Sequence, residues 1–241
     1  MTELSVIVPC YNEEKNLPEI IRGFNELLHG KPWVEVLLVN NGSTDGSAQV
    51  FEQELNALPH RQIRVVTVPV NKGYGFGIVL GLEQATGNVL AWTHADGQTE
   101  PADVLRAFEV YRQANDPLLM VKGERKKRGA GAAFFTWGMQ VVTNILLRSR
   151  LNDINAQPKL FSRPFYNTIK ENAPNDFSLD VYLLFHAEKK GTIRTIPVEF
   201  KKRLYGEAKG GGSFRTRIKL VKRTFRYLFS LRKQLKSGQG L

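Results

Sequence analysis

His94, Asp96 and Gln98 occupy alternate positions at the end of an apolar run, residues 89–93, that has the composition of a buried strand. Along an extended chain, alternate residues share a side. The three would then bring an imidazole nitrogen, a carboxylate and an amide oxygen to one point, a donor set able to hold a divalent cation. A polar turn closing a strand would account for the same residues. Three further polar clusters bear on that choice: Pro9-Cys10-Tyr11-Asn12-Glu13-Glu14, Asn40-Asn41-Gly42-Ser43-Thr44-Asp45 and Asn71-Lys72-Gly73-Tyr74-Gly75. Each of them also follows a short apolar run.

The elements that would carry these clusters alternate in type. Strands are expected at 4–8, 34–39, 63–68 and 89–93, and helices at 14–28, 47–58, about 77–85 and 101–113, the last with Pro101 at the favoured first position. The strands are continuously apolar and each is followed by a helix, which points to a parallel sheet covered on both faces. Ligands of such open sheets bind beyond the carboxyl ends of the strands. Four polar tips on that edge describe a ligand crevice better than four unrelated turns. The second half is expected to hold a strand at 118–121, a basic loop at 122–128, an apolar helix at 132–148, a strand at 158–161, a helix at 179–189 and a strand at 192–200. A glycine hinge at 210–212 then leads into a last helix, 214–236.

With 241 residues, 42% of them hydrophobic, the chain can bury one substantial core. Cys10 is the single cysteine, so no internal disulfide forms, which fits a reducing compartment. Met-Thr-Glu-Leu runs straight into an apolar strand, unlike a secretory leader, and no uncharged apolar stretch reaches the ~18 residues of a membrane span. The net charge of +11 is concentrated at one end: from Lys201 onward there are 13 Lys and Arg against Glu207 alone, and the rest of the chain is nearly neutral.

Three familiar patterns fail on inspection. Gly73-Tyr74-Gly75-Phe76-Gly77 has its third glycine one residue early for a dinucleotide fingerprint and follows the third strand. The stretch from Asn41 to Glu52 resembles a calcium loop but is entered by a strand and has only Asp45 charged among its first three ligand positions. No phosphate-binding Gly-x-x-x-x-Gly-Lys-Ser/Thr occurs.

Taken together, the four tips resemble the family 2 nucleotide-sugar glycosyltransferases of GT-A fold, especially the dolichyl- or polyprenyl-phosphate mannosyl- and glucosyltransferases. The likeness runs through Ser5–Glu14, Val39–Gly46, Asn71-Lys72-Gly73 and His94–Gln98, and resumes at Ile196-Pro197-Val198 and 203–209. It implies an α/β fold with a mostly parallel sheet, helices on both faces and amphipathic helices in the C-terminal half. Residues 1–212 would form the transferase domain and 213–241 a basic C-terminal helix. Pro9, Tyr11, Glu13, Val39 and Asn41 would hold the base and ribose of a nucleoside-diphosphate sugar. His94, Asp96 and Gln98 would surround Mn²⁺ or Mg²⁺. Arg125, Arg203 and Lys209 would neutralise the diphosphate, with Lys159 as a further cation and Asp96 and Arg203 at the chemistry itself.

This chain also departs from the family pattern. Asn40-Asn41 stands where the family usually has two aspartates, and His94-Ala95-Asp96 where it has Asp-x-Asp, which favours manganese over the harder magnesium. Trp137 and Gln157-Pro158-Lys159 replace an arginine and a Ser-x-Phe-Arg-like segment of the phosphate-acceptor enzymes. The acceptor implied is a polyprenyl phosphate, the alternatives being a saccharide hydroxyl or a module that binds nucleotide sugars without turnover. A phosphate, with its second pKa of about 6, attacks unaided. A hydroxyl needs a base, for which Asp176 and Asp180 are candidates, although Asp176 can equally cap the helix that follows.

Nine Lys or Arg and no acid lie between Arg215 and Lys236, with Phe214, Ile218, Val221, Phe225 and Leu228 at spacings of three and four. Such a helix can lie on an anionic membrane, pack its apolar side on the domain, or bind nucleic acid, for which no recognisable motif accompanies it. The combined reading is a cytoplasmic enzyme peripheral to the inner membrane face, with no nucleic-acid partner expected.

Overall fold

The computed structural model describes residues 1–59, 61–126, 130–203, 205–206 and 214–236. Strand β1 (Leu4–Cys10) is the axis of the sheet, with Leu4, Val6, Ile7, Val8 and Cys10 fully buried. On one side of it lie β2 (Val34–Asn41) and β3 (Ile63–Val68), and on the other β4 (Val89–Trp92), all parallel. Beyond β4 come β6 (Lys159–Ser162), β5 (Leu119–Lys126) and β7 (Thr192–Glu199), giving the order β3-β2-β1-β4-β6-β5-β7. Only β6 runs against the rest.

One face is covered by α1 (Leu17–Leu28), α2 (Ser47–Asn56) and α4 (Ala102–Ala114), and the other by α3 (Tyr74–Gln84), α6 (Arg163–Asn167) and α7 (Leu179–Lys190). In α1 the buried Leu17, Ile20, Ile21, Phe24 and Leu28 recur every three or four residues, each worth about 1.5–3 kcal/mol of apolar burial. The helix begins at Leu17 rather than at residue 14, because Pro18 is tolerated only in the first turn. Pro101 likewise stands just outside α4 rather than at its first position. The glycine-rich third tip extends the expected helix backward, so that α3 starts at Tyr74.

The largest departure is at β5. The basic stretch expected as a loop continues the strand to Lys126, because residues 119–126 pair along their whole length with β7. Lys127 and Arg128 of that stretch, and the expected hinge at 210–212, lie outside the described residues. Helix α6 was not expected; Ser162 caps it by accepting from the Phe165 amide, with Pro164 in the first turn. The apolar helix α5 (Ala130–Leu147) and the basic helix α8 (Phe214–Lys236) pack together, and α8 buries Leu228 and Leu231 in the core. Part of its apolar side therefore rests on the domain. Among the described residues no helix is long and apolar enough to cross a membrane.

At the edge away from the tips, Glu35 of β2 accepts hydrogen bonds from Ser5 Oγ (2.6 Å) and from the Thr86 amide (2.6 Å) and hydroxyl (2.8 Å), with Arg64 at 3.5 Å. Partial burial would raise its pKa, but these donors outweigh burial and lower it below 4.5. A depressed carboxylate contributes stability above the unfolded value, lost as pH falls toward the folded one. Glu35→Gln is expected to lose about 1–2 kcal/mol in urea denaturation at pH 7. The gap from the natural protein should close as the pH drops below 4.5, the reference value for this group.

Lys159 on β6 and Lys122 on β5 are register partners, and both side chains are buried. The Lys159 ammonium pairs with the buried Asp180 carboxylate. Removing one partner strands the other charge, so Lys159→Met should cost about 3–5 kcal/mol, most of it recovered in a Lys159→Met, Asp180→Leu double variant.

Candidate active site

Register sets a step in the sheet edge. Trp92, the last residue of β4, pairs with Ile7, whereas β1 continues to Cys10, level with Asn40. Three more residues of strand raise β1 about 10 Å above β4. The chain leaving β4 turns along this ledge rather than staying extended. Asp96 Oδ1 accepts from the Gln98 amide (3.1 Å), and Gly97 has a left-handed φ of 69°. Residues 94–98 thus turn instead of alternating sides along an extended strand.

Side chains join the tips to one another. The Asn12 amide donates to Ser43 Oγ (3.0 Å) and the Thr44 amide to Asn12 Oδ1 (2.8 Å), holding the first tip to the second. Asn41 Nδ2 donates to the Gly73 carbonyl (2.8 Å), holding the second to the third, and among the described residues Asn41 Oδ1 is buried without a partner. The fourth tip is tied to the first by Arg203, whose guanidinium reaches Asp96 Oδ2 at 2.7 Å and Glu13 Oε1 at 3.5 Å. Arg203 arrives on the strand exit after β7, where the Lys201 amide donates to the Gln98 carbonyl and Gln98 Nε2 to the Lys201 carbonyl, both at 3.0 Å.

His94 is held neutral by burial, which lowers its pKa below 6.5, with Asp96 and Asp180 opposing and Lys159 and Arg203 adding to the effect. A neutral imidazole beside a carboxylate is ligand chemistry that suits a borderline cation such as Mn²⁺. Among the described residues no group of three or more His, Cys, Asp or Glu is arranged to hold a metal. His94, Asp96 and Gln98 would be the residues to hold a divalent cation here; Asp96 now accepts from the Gln98 amide at Oδ1 and pairs with Arg203 at Oδ2. The cleft beside His94, lined by Asn16, Thr93, Gly97 and Lys201 among others, measures about 130 Å³. Ligand pockets are commonly about 300 Å³ or more, so this cleft alone is small for an organic ligand.

The remaining expected residues divide. Pro9, Tyr11 and Glu13 sit on the first tip, as expected. The Val39 side chain is fully buried against α3, where Gly81 leaves room for it, so only its backbone approaches the edge. Arg125 comes to the same edge from β5, ion-paired with Asp153, to which its backbone amide also donates (2.8 Å), and lies over the Phe200 ring at 5.1 Å. Lys159 is at that edge too, but beneath the surface, 5.6 Å from the Trp92 ring. Both oxygens of Asp176 are engaged, Oδ1 by the Ser178 amide (2.8 Å) and Oδ2 by Arg223 Nε (3.1 Å). Lys209 lies outside the described residues.

Sequence reasoning missed the network beneath the tips. Tyr74 stacks on Phe177 with centroids 4.7 Å apart, and Gln157 Nε2 reaches both Tyr74 Oη (3.4 Å) and Asp180 Oδ1 (3.1 Å). An aromatic residue set between the two glycines of the third tip was the available signal.

The family model described as glycosyl transferase family 2 matches residues 5–173. An undecaprenyl-phosphate 4-deoxy-4-formamido-L-arabinose transferase of Pectobacterium carotovorum is 34% identical over 125 residues, 51% of this chain and 38% of that protein. A transferase of the same description from Salmonella paratyphi B is 24% identical over 215 residues, 86% of this chain and 62% of that one. The chain thus spans less than two thirds of the length of these curated relatives. Among solved structures, glucosyl-3-phosphoglycerate synthase from Mycobacterium tuberculosis with Mn²⁺, UDP and phosphoglyceric acid superposes with a TM-score of 0.74 at 17% identity, covering 95% of this chain and 78% of that one. That likeness shows the GT-A fold. With seven strands in the order above and a family match over most of its length, the chain belongs to glycosyl transferase family 2.

Proposed function

We propose that the chain is an inverting glycosyltransferase that moves a sugar from a nucleoside-diphosphate sugar to a polyprenyl phosphate, working at the inner face of an anionic membrane. The observation that carries the reading is Arg203 bridging Asp96 and Glu13, which places a carboxylate and a guanidinium over the step between β1 and β4. The descriptions of the relatives, and Mn²⁺ with UDP in a structural neighbour, support the same choice.

In this scheme Pro9, Tyr11, Glu13 and Asn41 hold base and ribose, and the unpartnered Asn41 Oδ1 offers an acceptor for an N–H or hydroxyl. The Val39 backbone borders the same subsite. His94, Asp96 and Gln98 hold the cation, which when bound would draw charge from the departing diphosphate. Arg203, Arg125 and Lys209 take up the negative charge that grows as the glycosidic C–O bond breaks. Lys159, buried on Asp180, adds to the charge environment that lowers the His94 pKa. A phosphate oxygen of the acceptor attacks the anomeric carbon opposite the leaving group, which inverts the configuration. It carries its own charge, so no base is needed and the occupied oxygens of Asp176 are no obstacle.

Incubation with UDP-, GDP- and dTDP-sugars, undecaprenyl phosphate and Mn²⁺ should give a glycolipid and free nucleoside diphosphate. Asp96→Ala should lower turnover at least about a hundredfold. Nucleotide-sugar binding with no product from any donor would favour a non-catalytic module, and transfer to a saccharide alone would remove the lipid phosphate from the proposal.

Membrane attachment follows from the charge of α8 and from Phe229 and Ile145, both more than half exposed on the packed pair α8 and α5. The chain should float with vesicles rich in phosphatidylglycerol at low salt and separate from them at 1 M salt, about a 3 Å screening length. Failure to float at low salt would end this part.

A further inference from the structure

The segment 174–178, between the 3₁₀ turn Lys170–Asn172 and α7, is keyed to the third tip by backbone contact. The Phe76 amide donates to the Asn175 carbonyl (3.1 Å). A Cβ at Gly73 would lie 2.3 Å from the Asn175 oxygen, and one at Gly75 2.3 Å from the Pro174 oxygen, so only glycine permits this approach. Phe177 of the same segment stacks flat on Tyr74, and the Gly73 carbonyl beyond it receives Asn41 Nδ2. The segment therefore buttresses the second and third tips, where the proposed donor's base and ribose would lie.

One cation from the C-terminal helix grips this buttress. Arg223 of α8 places Nε 3.1 Å from Asp176 Oδ2 and its guanidinium 5.5 Å from the Phe177 ring. The contact joins residues almost fifty positions apart, and α8 is seated beside it by the buried Leu228 and Leu231.

We propose that Arg223 is a positioning residue: by clamping Asp176 and Phe177 it fixes the 174–178 segment against the third tip and so sets the affinity of the donor subsite. The inference rests on the donor-site reading above. It assigns part of α8 a role in nucleotide binding that neither its charge nor its amphipathic pattern suggests. The clamp is expected to act on binding, because the tips it supports follow β2 and β3, where the base and ribose subsite is proposed.

The test uses the full chain with Mn²⁺ and UDP, GDP or dTDP, whichever binds the natural protein most tightly by calorimetry. Arg223→Ala and Phe177→Leu should each raise the nucleotide Kd and the donor KM about fivefold with kcat little changed, within the usual range of coupling between sites. Arg223→Lys, which keeps the charge, should recover much of the affinity. A merely structural role would lower the melting temperature and leave the Kd, measured well below it, unmoved. Unchanged Kd in both variants, or a loss of kcat at constant donor KM, overturns the clamp alone. If the natural protein binds none of the nucleotides, the donor-site reading fails and the clamp falls with it.

Discussion

After β3 the chain crosses back over β1 and lays β4 on its other side, and this reversal of winding is the constraint on which the site depends. The crossing runs over the α3 face, whereas α1 and α4, which leave β1 and β4, both lie on the opposite face, and open sheets bind their ligands beyond the strand ends at such a reversal. The register then deepens the gap, since β4 stops opposite Ile7 while β1 runs on to Cys10. The opening is thus a consequence of topology. What the sequence adds locally is the polar lining and the short turn at Asp96 and Gly97.

An opening lined with charge must be stable when empty. Arg203 lies on Asp96 and Glu13, Arg125 on Asp153 and Lys159 on Asp180, so each expected cation among the described residues has an internal counter-charge. Two consequences differ with depth. Arg125 and Arg203 retain some exposure, although the Asp96 and Glu13 carboxylates beneath Arg203 are themselves buried. The pair at Lys159 is sealed, and separating it would cost several kcal/mol, about 3–5 by analogy with other buried pairs. Depth thus separates the cations: partly exposed at the ledge, sealed below it.

Much of this arrangement was legible in residue order, and the failures have physical causes. Continuous apolar runs followed by helices gave the parallel strands and placed four tips on one edge, because burial on both faces leaves few other patterns. The strand through Lys122–Lys126 was not legible, since its polar residues gain their extended conformation from pairing with β7, a contact made across some seventy residues. Strand alternation was the wrong geometry for the stretch holding His94, Asp96 and Gln98, which turns; Asp-Gly, a turn signal, was the better guide. Lys159 looked like a ligand for phosphate because charge is visible in a sequence and depth is not. Arg223 was one basic residue among nine, and nothing in its neighbours distinguished it.

The C-terminal helix illustrates how two uses of one surface can be compatible. Had all its apolar residues faced a membrane, the helix would have had no fixed place on the domain; had all been packed, its basic charge would have had no apolar anchor beside it. Instead Leu228 and Leu231 enter the core while Phe229, between them in sequence, is exposed. On a helix, residues three apart share a face and the residue next to them is turned by about 100°. The seated face fixes α8 against α5 and the 174–178 segment, and the turned face is the one proposed to meet a lipid surface. In the proposed reaction the acceptor phosphate is carried on a chain that cannot leave the bilayer. An enzyme using it must hold its cleft at a set height above the headgroups, and a helix anchored on both sides would supply that spacing.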